Sequence, residues 1–207
     1  MRIAPEGWPF IAIGWVILAA LAWFNPWLGL IWLPVAIWLL VFFRDPIRLG
    51  PRGDEFILAP ADGVVVSVIS IDEPLFIKGP ATRVSIFMNI FNVHVNRYPS
   101  RGTVGFRAYV KGKFGHAMPE KASHENEQST IGLDSPRGKL LIRQIAGLIA
   151  RRIVTDHQPG TLVEQSQRLG LIRFGSRVDL FLPAGAEVAV AVGQKTRVAE
   201  TVVARWK

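Results

Sequence analysis

The longest stretch without a charged residue lies near the start of the chain and limits what this part can fold into. No charged side chain occurs between Glu6 and Arg44. An Asn-Pro pair at 25–26 divides the stretch into two apolar segments, Trp8–Phe24 and Trp27–Phe43. A helix of about 17 residues is about 25 Å long, slightly short of a hydrocarbon core of about 30 Å. The pattern predicts either two short membrane-spanning helices or a helical hairpin that enters one leaflet.

The flanking charges predict how this hairpin is oriented. Arg2 precedes it, arginines follow it at positions 44, 48 and 52, and the turn between the two segments is uncharged. By the positive-inside rule, we expect both ends and the domain that follows on the cytoplasmic side of the cell membrane. A cleaved signal peptide is not expected, because the basic N-terminal region is weak and the apolar stretch is too long. The alternative is a buried helical pair in a soluble core.

From residue 53 onward, short β-branched runs alternate with turn residues. The clearest runs are Val64–Ile71, Arg83–Ile90 and Thr103–Val110, and prolines and glycines lie between them. This spacing is typical of an all-β sandwich or barrel. The predicted fold is therefore mainly β, with a sandwich-like or barrel-like domain over 53–207 that follows a membrane-associated hairpin over 1–52.

Two stretches of the β-rich domain are less clear. Leu140–Ile153 fits a strand pair or a helix, and its basic end favours a strand followed by a short helix. A faint repeat relates the segment that begins at Gly160 to the segment that begins at Gly193. The repeat resembles the turns of biotinyl-type and lipoyl-type barrels, which often have glycine where this chain has Ser166 and Ala199.

Composition narrows the possible chemistry. The chain has no cysteine, which excludes disulfides, cysteine-bound zinc and thiol nucleophiles. Its net charge of +8 favours an anionic partner such as a lipid surface, a phosphate-bearing substrate or nucleic acid. Because the basic residues are dispersed and the N-terminal part is apolar, we expect a lipid and no nucleic acid. The spacing of the four histidines fits no zinc or iron pattern, so we expect no metal.

A Gly-Ser pair between two apolar runs is the first candidate for chemistry. Gly175 accepts backbone angles that other residues resist, so the peptide bond before Ser176 can be strained. The Ser176 hydroxyl could attack the carbonyl that precedes it if a base removed its proton. On these residues alone, a β-bulge or turn is the commoner explanation of a Gly-Ser pair.

Two further residues, a histidine and an aspartate, could assist this serine in catalysis. His94 lies in an alternating apolar run and is expected on a strand, where a histidine is more often a packed core residue. Asp62 precedes a glycine, a pattern that on its own is typical of a turn. An imidazole can take the proton of a serine hydroxyl, and a carboxylate can orient that imidazole, whatever the separation of the three residues along the chain.

Four segments occur in the same order as in one known family. They have the sequences APADG, FMNIFNVHVNR, KASHENEQ and RFGSRVD, and they lie at 59–63, 87–97, 121–128 and 173–179. In these segments the chain resembles the short prokaryotic phosphatidylserine decarboxylase proenzymes, and the resemblance covers about 40–207. It implies a pyruvoyl-dependent carboxy-lyase that converts phosphatidylserine to phosphatidylethanolamine in phospholipid biosynthesis.

The resemblance also implies that the proenzyme cleaves itself. Ser176 would attack the Gly175 carbonyl, with His94 as the base and Asp62 as the carboxylate that orients it. The ester formed in this way would break between 175 and 176 by β-elimination. The covalent pyruvoyl cofactor would derive from Ser176, and its carbonyl would form a Schiff base with the substrate amine. His94 is then the expected proton donor. Some longer family members have a second histidine three residues earlier, but this chain has Phe91 at that position, which leaves the proton transfer to His94.

The implied partners follow from the substrate and from the cleavage. They are phosphatidylserine in the bilayer, the membrane itself, and a heterodimer of a large β chain (1–175) and a small α chain (176–207), with further oligomerisation left open. Basic residues near the motifs are candidates for binding the lipid headgroup: Arg97, Lys111, Lys113, Lys121 and Arg177.

Three alternatives stay open at this point. The same chemistry could act on archaetidylserine, whose headgroup is the same and whose tails are ether-linked. A non-enzymatic, membrane-anchored β-barrel adaptor would fit the fold, although no modifiable lysine at a hairpin tip is evident. A serine hydrolase acting on an external ester would also use a serine, but the Gly-x-Ser-x-Gly motif is absent.

Overall fold

The computed structural model describes residues 2–112, 126–147, 152–173 and 176–207. The chain divides into two compact units, Met1–Ile47 and Arg48–Lys207. The predicted division into 1–52 and 53–207 stays a prediction.

The first unit is a pair of apolar helices. Helix α1 spans Trp8–Phe24 and helix α2 spans Pro26–Phe42. The Asn25 side chain accepts a hydrogen bond of 2.9 Å from the Trp27 backbone and so caps α2, whose first residue is a proline. Two short antiparallel strands, β1 (Arg2–Ile3) and β2 (Arg44–Asp45), bring the two ends of the unit together.

Small residues let the two helices approach closely. A Cβ added to Gly29 would lie 2.6 Å from the Cβ of Ala22, so only glycine fits at this position. The Trp32 indole donates a hydrogen bond of 2.9 Å to the Gly14 carbonyl on the other helix. The helices therefore form a packed hairpin through backbone proximity and one indole bond.

The outer surface of this hairpin is apolar and exposed. Trp23 is 94% exposed and Trp27 is 72% exposed. The helical segment Pro5–Phe24 is long and apolar enough to cross a membrane, judged by length and composition, whereas Pro26–Phe42 is shorter. An exposed apolar surface of this kind is consistent with membrane association.

The second unit is built from β-strands. Its longer strands are β4 (Gly63–Glu73), β5 (Gly79–Met88), β7 (Gly102–Val110), β8 (Gln128–Ser135), β9 (Gly138–Ala146) and β13 (Ser176–Pro183). Its shorter strands are β3 (Phe56–Leu58), β6 (Val95–Arg97), β10 (Ile153–Thr155), β11 (Leu162–Val163), β12 (Arg168–Ile172), β14 (Ala186–Val188), β15 (Lys195–Thr196) and β16 (Val202–Trp206).

These strands form a curled, half-barrel sheet and two smaller sheets. The large sheet has the order β11-β7-β8-β9-β13-β5-β4-β15, and the smaller sheets have the orders β10-β12-β6 and β14-β16-β3. The pairings within them are antiparallel. The prediction of a mainly β protein with an N-terminal helical region is confirmed.

Strand β13 lies in the middle of the large sheet and shows why the core forms where it does. Its residues alternate between two faces, as in any strand. Val178, Leu180 and Leu182 point into the main hydrophobic core and are fully buried. Phe181, on the opposite face, packs against Phe76 in a small second cluster. Both faces of β13 are therefore covered, which explains the continuous apolar run Leu180–Pro183 at its end.

The faint repeat seen in the sequence has a counterpart in the backbone. Gly160 and Gly193 have φ angles of +90° and +89°. Six residues later, Ser166 and Ala199 have φ angles of +69° and +61°, a region that non-glycine residues rarely adopt. The two segments thus repeat the same left-handed turns, although neither retains glycine at the second turn.

The structure answers part of the question left open by Leu140–Ile153. Its first half belongs to β9, as predicted. The predicted short helix falls mostly on residues 148–151, which lie outside the described residues.

Candidate active site

Ser176 is the first residue of β13 and is held from both sides. It pairs with Met88 of β5 and with Ala146 of β9. Its side chain is fully buried, and among the described residues its Oγ has no hydrogen-bond partner. A buried hydroxyl without a partner costs about 1–3 kcal/mol, so its retention points to a function other than stability.

His94 is fully buried and lies immediately before β6. The prediction that it is on a strand was therefore wrong by one residue, because the turn that begins at Asn89 delays the start of the strand. Its Nδ1 lies 2.9 Å from the Asn92 carbonyl oxygen. Since a carbonyl only accepts, Nδ1 carries the proton, and in the neutral ring Nε2 has the lone pair. This is the tautomer that a general base needs.

The strand pairing brings His94 to the segment that leads into Ser176. Strand β6 pairs with β12, so Val95 faces Leu171. The Ile172 backbone also donates a hydrogen bond of 3.4 Å to the His94 carbonyl. The histidine therefore lies beside the last residue of β12, and the chain reaches Ser176 four positions later. Gly175 lies outside the described residues.

A buried polar network lies under this part of the sheet. Gln144 Nε2 donates to Asn96 Oδ1 at 2.8 Å, and Gln144 Oε1 accepts from Thr155 Oγ1 at 3.0 Å. Asn96 Nδ2 in turn lies 3.6 Å from the sulfur of Met88, the partner of Ser176. Because these groups satisfy one another, the network fixes the strands that hold Ser176 and His94.

Asp62 is also buried, but its bonds go elsewhere. Its Oδ2 forms an ion pair of 2.8 Å with Arg48, and its Oδ1 accepts a 2.7 Å hydrogen bond from the Val198 backbone. Neither Asp62 oxygen bonds to His94, whose Nδ1 is oriented by the Asn92 carbonyl. The structure therefore places the three predicted residues in one unit but joins only His94 to the segment that precedes Ser176.

A cleft with a volume of about 410 Å³ connects Asp62 to this region. Asn92, which holds His94, is on its wall, and so is Asn89, which follows the Ser176 partner Met88. The complete lining consists of Asp62, Gly63, Val64, Asn89, Asn92, Lys195, Thr196, Arg197 and Thr201.

The candidate basic residues that the structure describes, Arg97, Lys111 and Arg177, do not line this cleft. Arg177 is only 1% exposed, and its Nε and Nη2 bond to Asp179 at 2.8 and 2.9 Å. The prediction that it binds a headgroup does not fit this burial, which follows from its place on a covered face of β13. Arg97 donates to the Ser166 carbonyl at 2.9 Å. Lys111 is exposed, whereas Lys113 and Lys121 lie outside the described residues.

The face of β13 opposite Ser176 carries a buried group of charges. Asp179 lies beside Arg143 in the strand register and 3.9 Å from Arg83 Nε. Burial lowers the pKa of Arg143, and the nearby Asp179 carboxylate counteracts this effect. The carboxylate thus stabilises several guanidinium groups at once.

Sequence reasoning missed the residues that orient His94 and line the cleft. The Asn89 side chain accepts from the Phe91 backbone, and the Asn92 side chain accepts from the Asn89 backbone, both at 2.9 Å. Two asparagines three positions apart are a typical turn signal and could have revealed this turn. No local pattern would have revealed Lys195 and Arg197, because they reach the cleft through strand pairing.

Comparison with known proteins identifies relatives of this chain. The phosphatidylserine decarboxylase family model matches residues 35–204. The chain is similar to the phosphatidylserine decarboxylase proenzyme of Magnetococcus marinus, with 44% identity over 99% of this chain and 95% of the relative. It is also similar to the phosphatidylserine decarboxylase proenzyme of Symbiobacterium thermophilum, with 45% identity over 98% of this chain and 95% of the relative. The chain therefore belongs to the phosphatidylserine decarboxylase family, a family of carboxy-lyases.

Proposed function

We propose that this chain cleaves itself between Gly175 and Ser176 and then decarboxylates phosphatidylserine to phosphatidylethanolamine. Family membership supports the substrate and the reaction. The observation that carries the self-cleavage is the buried Ser176 hydroxyl, which has no partner among the described residues. His94, beside the preceding segment, has the tautomer that can accept its proton.

In the first step, His94 Nε2 takes the proton of Ser176 Oγ. The oxygen bonds to the carbonyl carbon of Gly175, the carbon–nitrogen bond breaks, and His94 returns the proton to the released amine. The product is an ester between the same two residues. Loss of the Ser176 α-proton then expels the Gly175 carboxylate, and water replaces the nitrogen, which leaves as ammonia.

The surroundings of Ser176 fit a pyruvoyl group formed in this way. The group supplies an electron-withdrawing carbonyl for the decarboxylation of a primary amine substrate. After cleavage, residue 176 would remain paired with Met88 on one side and with Ala146 on the other. The ion pair between Arg177 and Asp179 would hold the next residues on the opposite face. The two chains, 1–175 and 176–207, would therefore stay together as a heterodimer.

His94 and Asp62 have further roles in the proposal. His94, buried beside the same segment, would return a proton to the substrate carbon after carbon dioxide leaves. Asp62 would help to orient His94 indirectly, through Asn92, because Asp62 and Asn92 line the same cleft. The apolar hairpin would hold the enzyme at the bilayer that contains its substrate, with the β-rich unit on the cytoplasmic side.

The test is an intact-mass spectrum of the purified protein, with and without Ser176→Ala. Wild-type protein should separate into two chains, of residues 1–175 and 176–207. The smaller chain should be lighter than the plain peptide by the mass difference between a serine and a pyruvoyl N-terminus. The alanine variant should stay whole, and only the cleaved protein should release carbon dioxide from phosphatidylserine vesicles.

Two results would contradict the proposal. An uncut wild-type chain after long incubation in detergent or lipid would remove Ser176 from the chemistry. A cleaved protein without activity on phosphatidylserine would keep the self-cleavage and overturn the substrate. Asp62→Asn keeps an acceptor for the Val198 backbone, and cleavage at the wild-type rate in this variant would restrict Asp62 to a structural role.

A further inference from the structure

The cleft beside His94 has a counterpart in the other half of the β-rich unit. Strand β15 pairs with the start of β4, so Lys195 faces Val64 and Thr196 faces Gly63. Strand β11 pairs in the same way with the start of β7, so that Leu162 faces Thr103 and Val163 faces Gly102. A cleft of about 420 Å³ follows the second pairing, as the cleft of about 410 Å³ follows the first.

The two clefts have similar backbone conformations but differ in the charge of two corresponding residues. In each, a glycine with a φ angle near +90° precedes the short strand. Lys195 in the first cleft corresponds to Leu162 in the second, and Arg197 corresponds to Glu164. The fold therefore accepts an apolar and an acidic residue at these two positions, and it does not require cations there.

The position of these two cations relative to the reacting residues makes them informative. Asn89 and Asn92 also line the first cleft. Asn89 follows the strand partner of Ser176, and the Asn92 carbonyl holds His94. The second cleft is lined instead by residues of β7, β8 and β11 and by Arg101, Pro136 and Glu164. Arg101, the cation among these lining residues, is paired with Asp54 at 2.6 Å. Lys195 and Arg197 thus occur in the cleft that adjoins the chemistry.

We infer that Lys195 and Arg197 bind the phosphodiester of the serine phospholipid headgroup, an inference that rests on the proposed function. Lys195 is exposed, and in the described part of the chain its side chain has no hydrogen bond or ion pair. Within the described residues, the Arg197 side chain forms one ion pair, of 3.3 Å to Glu200, and is largely exposed. Both are therefore available to an anion that enters the cleft.

Among the anions of the substrate, the phosphodiester fits better than the carboxylate. A cation bound to the carboxylate would stabilise the substrate more than the transition state, because that charge is lost as carbon dioxide forms. The phosphodiester keeps its charge throughout the reaction, so binding it does not oppose the chemical step. It also lies between the reacting amine and the lipid tails, so a cation that binds it need not contact the reacting atoms.

The experiment compares Lys195→Leu and Arg197→Gln with wild-type protein in detergent micelles of constant phosphatidylserine mole fraction. The leucine copies the residue of the second cleft, and the glutamine avoids a carboxylate beside Glu200. We expect each change to raise KM about tenfold, as loss of a charge-assisted bond does, with self-cleavage and kcat unchanged. Lys195→Arg should restore KM.

Two controls separate a specific site from a general charge effect. Lys207→Leu removes the same charge outside the cleft, and Leu162→Lys adds a cation to the second cleft. Both should leave KM at the wild-type value. Equal effects of Lys195→Leu and Lys207→Leu would overturn the inference, and so would a wild-type KM in both cleft variants.

A soluble inhibitor distinguishes the two anions of the headgroup. Glycerophosphoethanolamine has the phosphodiester but no carboxylate, and its inhibition constant should rise with KM in the cleft variants. An unchanged inhibition constant beside a raised KM would assign the cations to the carboxylate and overturn the inference. Direct binding of this compound, measured by calorimetry on cleaved protein, tests the cleft even if phosphatidylserine proves not to be the substrate.

Discussion

Arg177 and Asp179 bond to each other through two hydrogen bonds, of 2.8 and 2.9 Å, although one residue separates them on β13. Both side chains are buried, at 1% and 0% exposure. They lie on the face of the strand opposite Ser176. The strand that begins with the candidate nucleophile is therefore fixed by core packing on one face and by an ion pair on the other.

This arrangement predicts unequal effects of removing the two partners. Asp179→Asn removes a carboxylate that also lies 3.9 Å from Arg83 Nε, so it affects two buried guanidinium groups. Arg177→Met leaves Asp179 beside Arg83. We expect Asp179→Asn to cost about 3–5 kcal/mol of unfolding free energy, and Arg177→Met to cost less. Urea unfolding of uncleaved Ser176→Ala protein measures both, and a larger loss for Arg177→Met would contradict this explanation.

The repeated left-handed turns predict where alanine is harmful. Gly160 and Gly193 have φ angles of +90° and +89°, and a Cβ at either position would meet nothing within 4 Å. Any loss of stability on substitution by alanine would therefore come from backbone strain, about 1–2 kcal/mol at each site. Gly185 also has open space around it but lacks a positive φ, so Gly185→Ala should not destabilise the protein. Equal stability of the three variants would exclude backbone strain as the cause.

The contribution of the turn that orients His94 to self-cleavage can be tested without substituting the histidine. Asn92→Ala removes the side-chain acceptor for the Asn89 backbone, a bond of 2.9 Å. Loss of about 1 kcal/mol of turn stability should loosen the Asn92 carbonyl and slow self-cleavage about fivefold. Asn92→Asp keeps an acceptor oxygen and should cleave nearly as fast as wild type. Gel analysis of cleavage over time measures the rates, and wild-type cleavage in Asn92→Ala would exclude this role for the turn.

Much of the fold follows from local patterns in the sequence. The uncharged stretch predicted helices over Trp8–Phe24 and Trp27–Phe43, and the second helix begins and ends one residue earlier. The β-branched run Val64–Ile71 lies within β4, which begins one residue before the run and ends two residues after it. Strand β8 was missed, because the sequence of Gln128–Ser135 mixes polar residues and a glycine in a fully paired central strand. Its burial comes from its neighbours and not from its own composition.

The candidate site could be predicted only in part. The motifs indicated Ser176, His94 and Asp62 as candidates, which stay predictions, but they did not show that Arg48 and Val198 bond to the Asp62 carboxylate. The sequence also did not reveal the burial of Arg177, because a basic residue next to a candidate nucleophile is expected to be solvent-exposed, whereas both faces of β13 are covered. Residues that come together through non-local strand pairing leave no trace in local sequence patterns.

A buried tyrosine predicts how stability changes at alkaline pH. Tyr98 is fully buried, and its hydroxyl lies 3.3 Å from His157 Nδ1. Burial raises the pKa of Tyr98 well above its usual value of 10.0, and the Asp156 carboxylate raises it further. Above about pH 10 the unfolded chain therefore loses a proton that the folded chain keeps. The contribution of Tyr98 to stability is complete below this pH and declines as the pH rises towards the folded pKa.

The measurement is urea unfolding of uncleaved Ser176→Ala protein at pH 9 and pH 11, with and without Tyr98→Phe. Above its usual pKa, Tyr98 should lower the unfolding free energy by about 1.4 kcal/mol for each pH unit, and this part of the slope should vanish in the phenylalanine variant. Comparing slopes removes the constant effect of losing the contact with His157. Tyr109 is the matched control: its pKa is also raised, but its side chain is 53% exposed. Tyr109→Phe should change the slope less, and an equal change in both variants would show that burial of Tyr98 is not the cause.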